Sequence, residues 1–130
     1  MIYHFKREPE SGLIIVSIEV DSKFELKMVF DTGATNTTID SNALYLLGYD
    51  LKDNIGTVEI ETANGIIETE VFEIGRFSSL GFNKNNFQIQ VYDFLAHGIF
   101  SDYNGLLGLD FLEGTNFCIN TNENTITINR

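Results

Sequence analysis

The chain has 130 residues, 19 of them acidic and eight basic, for a formal net charge of -11. That length supports one domain with a modest core and is too short for two. An acidic chain without a lysine or arginine cluster argues against a nucleic-acid backbone or an anionic membrane surface as a partner.

Residues 1–11, which hold the only proline, Pro9, read as a loosely held N-terminal segment, and residues 12–130 as the folded domain. Gly12 to Val20 and Phe24 to Phe30 alternate as a hairpin around Asp21-Ser22-Lys23, and the second strand delivers Asp31 at its end. Thr37 to Asp40 leads into a short helix, Ser41 to Leu47, with Asp40 or Ser41 placed to accept from its free amides and Gly48 placed to end it. A second hairpin spans Gly56 to Ile74 and turns at Asn64-Gly65, the strongest short hairpin signal. Such a turn would set Glu61 opposite Glu68 and Glu59 opposite Glu70, an acidic face expected to loosen the ribbon at neutral pH.

Between Gly75 and Tyr103 the alternation of Phe87 to Val91 predicts one further strand flanked by loops. Asn104 to Leu107 reads as an apolar strand closed by Gly108 and followed by a short helical turn. Asn116 to Thr121 and Thr125 to Arg130 complete a last hairpin through Asn122-Glu123-Asn124. The lone Cys118 has no disulfide partner and, between Phe117 and Ile119, is expected to be a buried thiol. His4 and His97 have no cysteine or second histidine at ligand spacing, so no metal and no cofactor are expected. No stretch has the apolar length of a membrane span, and the start lacks the pattern of a signal peptide, so a cytoplasmic protein is expected.

Two segments carry the chemistry. Met28-Val29-Phe30-Asp31-Thr32-Gly33-Ala34-Thr35 is an apolar strand running into an acid, a hydroxyl and a glycine at a sharp turn. Asn104-Gly105-Leu106-Leu107-Gly108-Leu109-Asp110-Phe111-Leu112 is the second apolar strand. Together they resemble the retropepsin-like aspartic proteases, in wording closer to cellular and bacterial members than to viral ones, and the resemblance runs from about Leu13 to Ile128.

The resemblance implies an all-β, retropepsin-like closed barrel or sandwich with one or two short helices and a flap hairpin, one domain per chain. It implies Asp31 as the catalytic residue, on an active-site loop with Thr32, Gly33 and Ala34, and a supporting loop of Gly105, Leu106, Leu107 and Gly108. In the family the residue at Thr32 bonds across the dimer and braces the two loops. The flap tip would be Ala63, Asn64, Gly65 and Ile66. Val58 and Ile60, with apolar residues between Tyr92 and Phe100, would form pocket walls against an extended peptide or protein substrate. None of the other aspartates precedes Thr-Gly or Ser-Gly, so the second acid must come from another copy and the expected assembly is a homodimer.

Two carboxylates suit metal-free peptide hydrolysis because one serves as base toward water and the other as acid toward the carbonyl oxygen. At about 3 Å they cannot both ionise, which keeps the proton that the second role needs. The alternative reading is a catalytically silent peptide-binding or dimerisation module on the same fold.

Overall fold

The computed structural model describes residues 1–63, 65–98 and 102–129. Alternation of apolar and polar residues produces most of it. The strands are β1 (Ile2–His4), β2 (Lys6–Arg7), β3 (Ile14–Val20), β4 (Phe24–Phe30), β5 (Thr38–Asp40), β6 (Gly56–Thr62), β7 (Gly65–Ser79), β8 (Phe82–Tyr92), β9 (Gly105–Leu107), β10 (Asn116–Asn120) and β11 (Thr125–Asn129). Two short helices, α1 (Ser41–Leu46) and α2 (Leu109–Leu112), follow β5 and β9. Among the described residues no helix is long and apolar enough to cross a membrane.

Eight strands form one sheet in the order β2-β3-β4-β9-β5-β8-β7-β6, and a further pairing of β3 with β7 curls it back on itself. The remaining three form a second sheet, β1-β11-β10. Inward residues of both sheets, among them Ile18, Met28, Ile39, Phe72, Phe77, Ile89, Leu107 and Ile126, join Phe111 of α2 in one core at 0–1% exposure. Burial of that apolar area is the main favourable term in folding.

Four expectations need correction. The first residues are held: Ile2 and Tyr3 pair with Thr127 and Ile126, and Lys6-Arg7 pair with β3. The segment 75–103 is largely strand, because β7 runs on to Ser79 and turns through Leu80 and Gly81, both at positive φ, into eleven-residue β8. The inward positions of β7 change phase, from Phe72 and Ile74 to Phe77 and Ser79, where the strand leaves the flap side and pairs with β3. A single period-2 pattern therefore stops at Ile74.

Cys118 is exposed, since strand alternation turns Phe117 and Ile119 toward the core and the residue between them outward. Asp40 precedes α1 without capping it: its Oδ1 instead accepts from the Phe94 amide at 3.0 Å. Gly48, at φ 95°, follows the helix as expected.

Tyr49, just past α1, donates its hydroxyl to Asp21 Oδ2 at 2.5 Å, and the other oxygen of Asp21 accepts from the Arg76 amide at 3.1 Å. The carboxylate thus ties the helix to the β3–β4 turn and to β7. Burial, then the hydrogen bond to Asp21 and its charge, push the Tyr49 phenol up to about 12 from its ordinary value of 10.0. A folded-state value above the unfolded one means the contribution is complete below about pH 10 and is lost as pH rises through about 12. Denaturant unfolding across that alkaline range should show stability falling in the native sequence, and the fall should be shallower in Tyr49→Phe.

Candidate active site

The site grows from the way β9 is inserted. It runs parallel to β4, with Val29 beside Leu106 and Phe30 beside Leu107, and antiparallel to β5, with Thr38 beside Leu106 and Ile39 beside Gly105. The segment joining β4 to β5 must therefore leave one side of β9 and return on the other, and Asp31 to Thr37 is that loop. The Asp31 amide donates to Leu107 O at 3.0 Å, which extends the ladder one residue past the strand end.

Within the loop, Asp31 Oδ1 accepts from the Gly33 amide at 2.9 Å, and the Ala34 amide donates to Asp31 O at 3.2 Å. Asp31 Oδ2 has no hydrogen-bond partner among the described residues. A Cβ on Gly33 would lie 3.2 Å from Asp31 Oδ1, tighter than most real contacts, so glycine leaves the carboxylate its place. Thr32 and Gly33 are exposed and Ala34 is half-buried.

A buried clamp holds the loop from below. Thr37, at 0% exposure, donates its amide to Asp110 Oδ2 at 2.9 Å and its hydroxyl to Asp110 Oδ1 at 2.7 Å. The same hydroxyl accepts from the Gly108 amide at 3.1 Å. The amides of Leu109 and Asp110 donate to the carbonyls of Ala34 and Thr35 at 2.9 and 3.2 Å. Asn104 adds a bridge on the far side of β9: its amide and side-chain oxygen bond Lys27 at 2.6 and 3.0 Å, and its carbonyl accepts from the Asp40 amide at 2.8 Å.

Gly105 and Gly108 are packing positions. A Cβ on Gly105 would run into the carbonyl oxygen of Thr38, and one on Gly108 would lie 2.7–2.9 Å from backbone atoms of Ala34 and Asn36. Leu106 is half-buried beside them, and Leu107 is buried in the core. The sequence reading placed the supporting loop here but passed over Thr37, Asn104 and Asp110. The signal for Asp110 was its position, an acid two residues past Gly108 opening a helical turn.

The flap hairpin is present as β6 and β7, with its register two residues away from the expected one. Thr62 pairs with Gly65, Ile60 with Ile67, Glu59 with Glu68 and Val58 with Thr69. Gly65, at φ 114°, therefore opens the returning strand, where a turn position was expected. Asn64 lies outside the described residues, as do Ile99 and Phe100 of the expected pocket wall.

Neither expected acidic pair forms: Glu61 faces Ile66 and Glu70 faces Thr57, and Glu59 is directly opposed to Glu68 instead. The shift is by an even number, so Val58 and Ile60 keep a common face with Ile67 and Thr69. Val58 is 37% exposed, Ile60 half-buried, and Ala63, Gly65 and Ile66 are exposed toward the tip. Thr69 is buried, and its hydroxyl has no hydrogen-bond partner among the described residues.

The same fold is seen in a crystal structure of a retropepsin-like aspartic protease from Rickettsia conorii, which is 22% identical, with a TM-score of 0.71 over 98% of this chain and 89% of that one. A curled sheet with β9 threaded between β4 and β5 is thus the retropepsin-like fold. The aspartyl protease family model matches residues 16–111, and the chain belongs to that family. No curated protein matches the sequence.

The clamp has a measurable weight. Asp110→Ala removes three hydrogen bonds to a carboxylate, from the Thr37 amide and hydroxyl and from the Phe111 amide, and leaves the two Thr37 groups short of partners, so urea unfolding should show a loss of roughly 2–4 kcal/mol. Asp110→Asn, which keeps one acceptor, should lose less.

Proposed function

We propose that this chain is an aspartic endopeptidase whose reacting centre forms when two copies bring Asp31 together across a twofold axis. The observation that carries this reading is the Asp31 carboxylate itself. It sits at a strand end on a loop held by Gly33 and by the Thr37–Asp110 clamp, with one oxygen engaged by an amide and the other without a partner among the described residues.

In the proposed reaction a water lies between the two carboxyl groups, of which one is ionised and one protonated. The ionised group takes a proton from the water as its oxygen attacks the peptide carbonyl carbon, and the protonated group gives its proton to the carbonyl oxygen. The tetrahedral diol then collapses: the C–N bond breaks as the leaving nitrogen takes the proton held by one carboxyl group, and a diol hydroxyl gives its proton to the other as the carbonyl reforms, which returns the dyad to one ionised and one protonated group.

Thr32, exposed in the single chain, would make its contact with the second copy. The β6–β7 ribbon would close over a substrate lying extended along it, with main-chain hydrogen bonds for affinity and Val58 and Ile60 among the pocket walls. Peptides or proteins are the substrate class, and no cofactor enters the reaction.

Incubation with a mixed peptide library from acid to neutral pH tests this. Cleavage blocked by a statine-type hydroxyl isostere is expected. Asp31→Asn, which retains the Oδ1 acceptor for the Gly33 amide, should fold with an unchanged melting profile and lose about 10³-fold or more in kcat/KM. Undiminished cleavage by that variant, or none by the native sequence at any pH, would overturn the reading.

A further inference from the structure

We propose that a cavity between Lys6, Lys27 and Tyr103 receives an acidic side chain of the peptide substrate, three or four residues from the bond that is cut. The proposal rests on the endopeptidase reading of Asp31 and adds a substrate class to it.

Strand phase places the cavity. Lys6 pairs with Ile15, Ile15 with Val29 and Val29 with Leu106, so they form one row across the large sheet. Paired residues share a face, and every second residue along a strand returns to it. Lys27, Val29 and Asp31 therefore stand on the face of that row, away from the core residues Leu26 and Met28. The cavity, of about 500 Å³, lies on this face over Ile15, and three of the chain's eight basic residues, Lys6, Arg7 and Lys27, line it.

Its walls are fixed by hydrogen bonds. Arg7 Nε donates to Gly12 O at 3.0 Å, and the turn between β2 and β3 closes with the Glu8 amide on Leu13 O at 2.8 Å. The Glu8 carboxylate is engaged inside that turn, where it accepts from the amides of Glu10 and Ser11 at 3.2 and 2.6 Å. On the other side, Asn104 bonds the main chain of Lys27 twice and so seats Tyr103 beside it, and the Tyr103 ring packs edge-on against Phe94 at 6.2 Å.

Charge selects the occupant. Lys6 and Lys27 stand on the strands either side of β3, about 12 Å apart at two strand spacings across and two residues along, a gap that two long, flexible stems close around one carboxylate. Neither ammonium group has an ion-pair or hydrogen-bond partner among the described residues. Glu10 and Asp102, the other acids of the lining, are exposed on the surrounding loops. Half-buried Ile15 and the Tyr103 ring offer the methylenes of a glutamate an apolar bed. In a chain of net charge -11, an acidic segment is repelled over most of the surface and attracted here, which is how a difference in affinity arises.

The spacing gives the position in the substrate. By strand geometry Lys6 and Lys27 each lie about 12–13 Å from Asp31, which an extended peptide covers in three or four residues. A twofold axis through the dyad presents one such cavity toward each end of the substrate.

Two readouts test this. Asp31→Asn is immobilised, the mixed peptide library is passed over it, and the retained peptides are sequenced by mass spectrometry. Peptides rich in aspartate and glutamate are expected, and peptides rich in lysine and arginine once Lys6→Glu and Lys27→Glu are added. With Asp31 intact, exchanging glutamate for lysine at the third or fourth position from the cut should lower kcat/KM about tenfold, chiefly through KM, and the Lys6→Glu, Lys27→Glu pair should invert the ratio. Lys6→Met with Lys27→Met, which keeps the stems without the charges, should abolish the preference. Lys23→Glu, the same charge change at the far turn of the β3–β4 hairpin, should leave it in place.

If peptides are cleaved but neither pair of substitutions moves the ratio, the cavity assignment is overturned while the Asp31 dyad stands. If retention follows the charge at Lys6 and Lys27 but no preparation cleaves any peptide, the cavity is supported as a binding site for acidic peptides and the catalytic reading falls. Retention indifferent to charge at both positions overturns the assignment.

Discussion

The insertion of β9 between β4 and β5 is the constraint on which the site depends. Three strands crowd into the space where Asp31 is presented, and the crowding is possible because Gly105 and Gly108 bring no side chain to it. Their neighbours are backbone atoms of Thr38, Asn36 and Ala34, which cannot move aside as a flexible side chain would. The loop carrying the acid is then locked by hydrogen bonds on both sides of β9, through Asp110 to Thr37 and through Asn104 to Lys27 and Asp40. A carboxylate held this way has its direction set before any ligand arrives, which is the condition for using it in chemistry.

Much of this was legible in the residues. An apolar strand breaking into Asp-Thr-Gly, and a second apolar strand ending in glycine, fixed the fold class, the position of Asp31 and the supporting loop, since hydrophobic alternation and glycine turns are local signals. What was not legible was mostly non-local. The flap register followed Asn64-Gly65 as a turn pair, but the pairing of Thr62 with Gly65 moves the closing position by one residue on each strand. The far half of β7 was lost because its inward phase changes where a third strand takes it up, and no count along the sequence marks that event. Asp110 gave no catalytic pattern because its partner, Thr37, is 73 residues away.

Cys118 shows the same limit from the other side. Its apolar neighbours suggested burial, whereas the strand period decides it: Phe117 and Ile119 are the inward residues, and whatever stands between them faces out. Composition of the neighbourhood is a weaker guide than phase. Phase also explains why the two-residue slip in the flap left Val58 and Ile60 on their expected common face.

The intrachain seating of β11 has a consequence for how the molecule comes into being. Because β1 and β10 both come from the same chain, the terminal sheet closes without help, and a newly made copy can reach its native state alone. Folding is then a first-order event, and any meeting with a second copy is a later, concentration-dependent one. By mass action, association of already folded copies adds to the stability of each, so the thermal midpoint of such a chain rises with its concentration above the value the single copy sets.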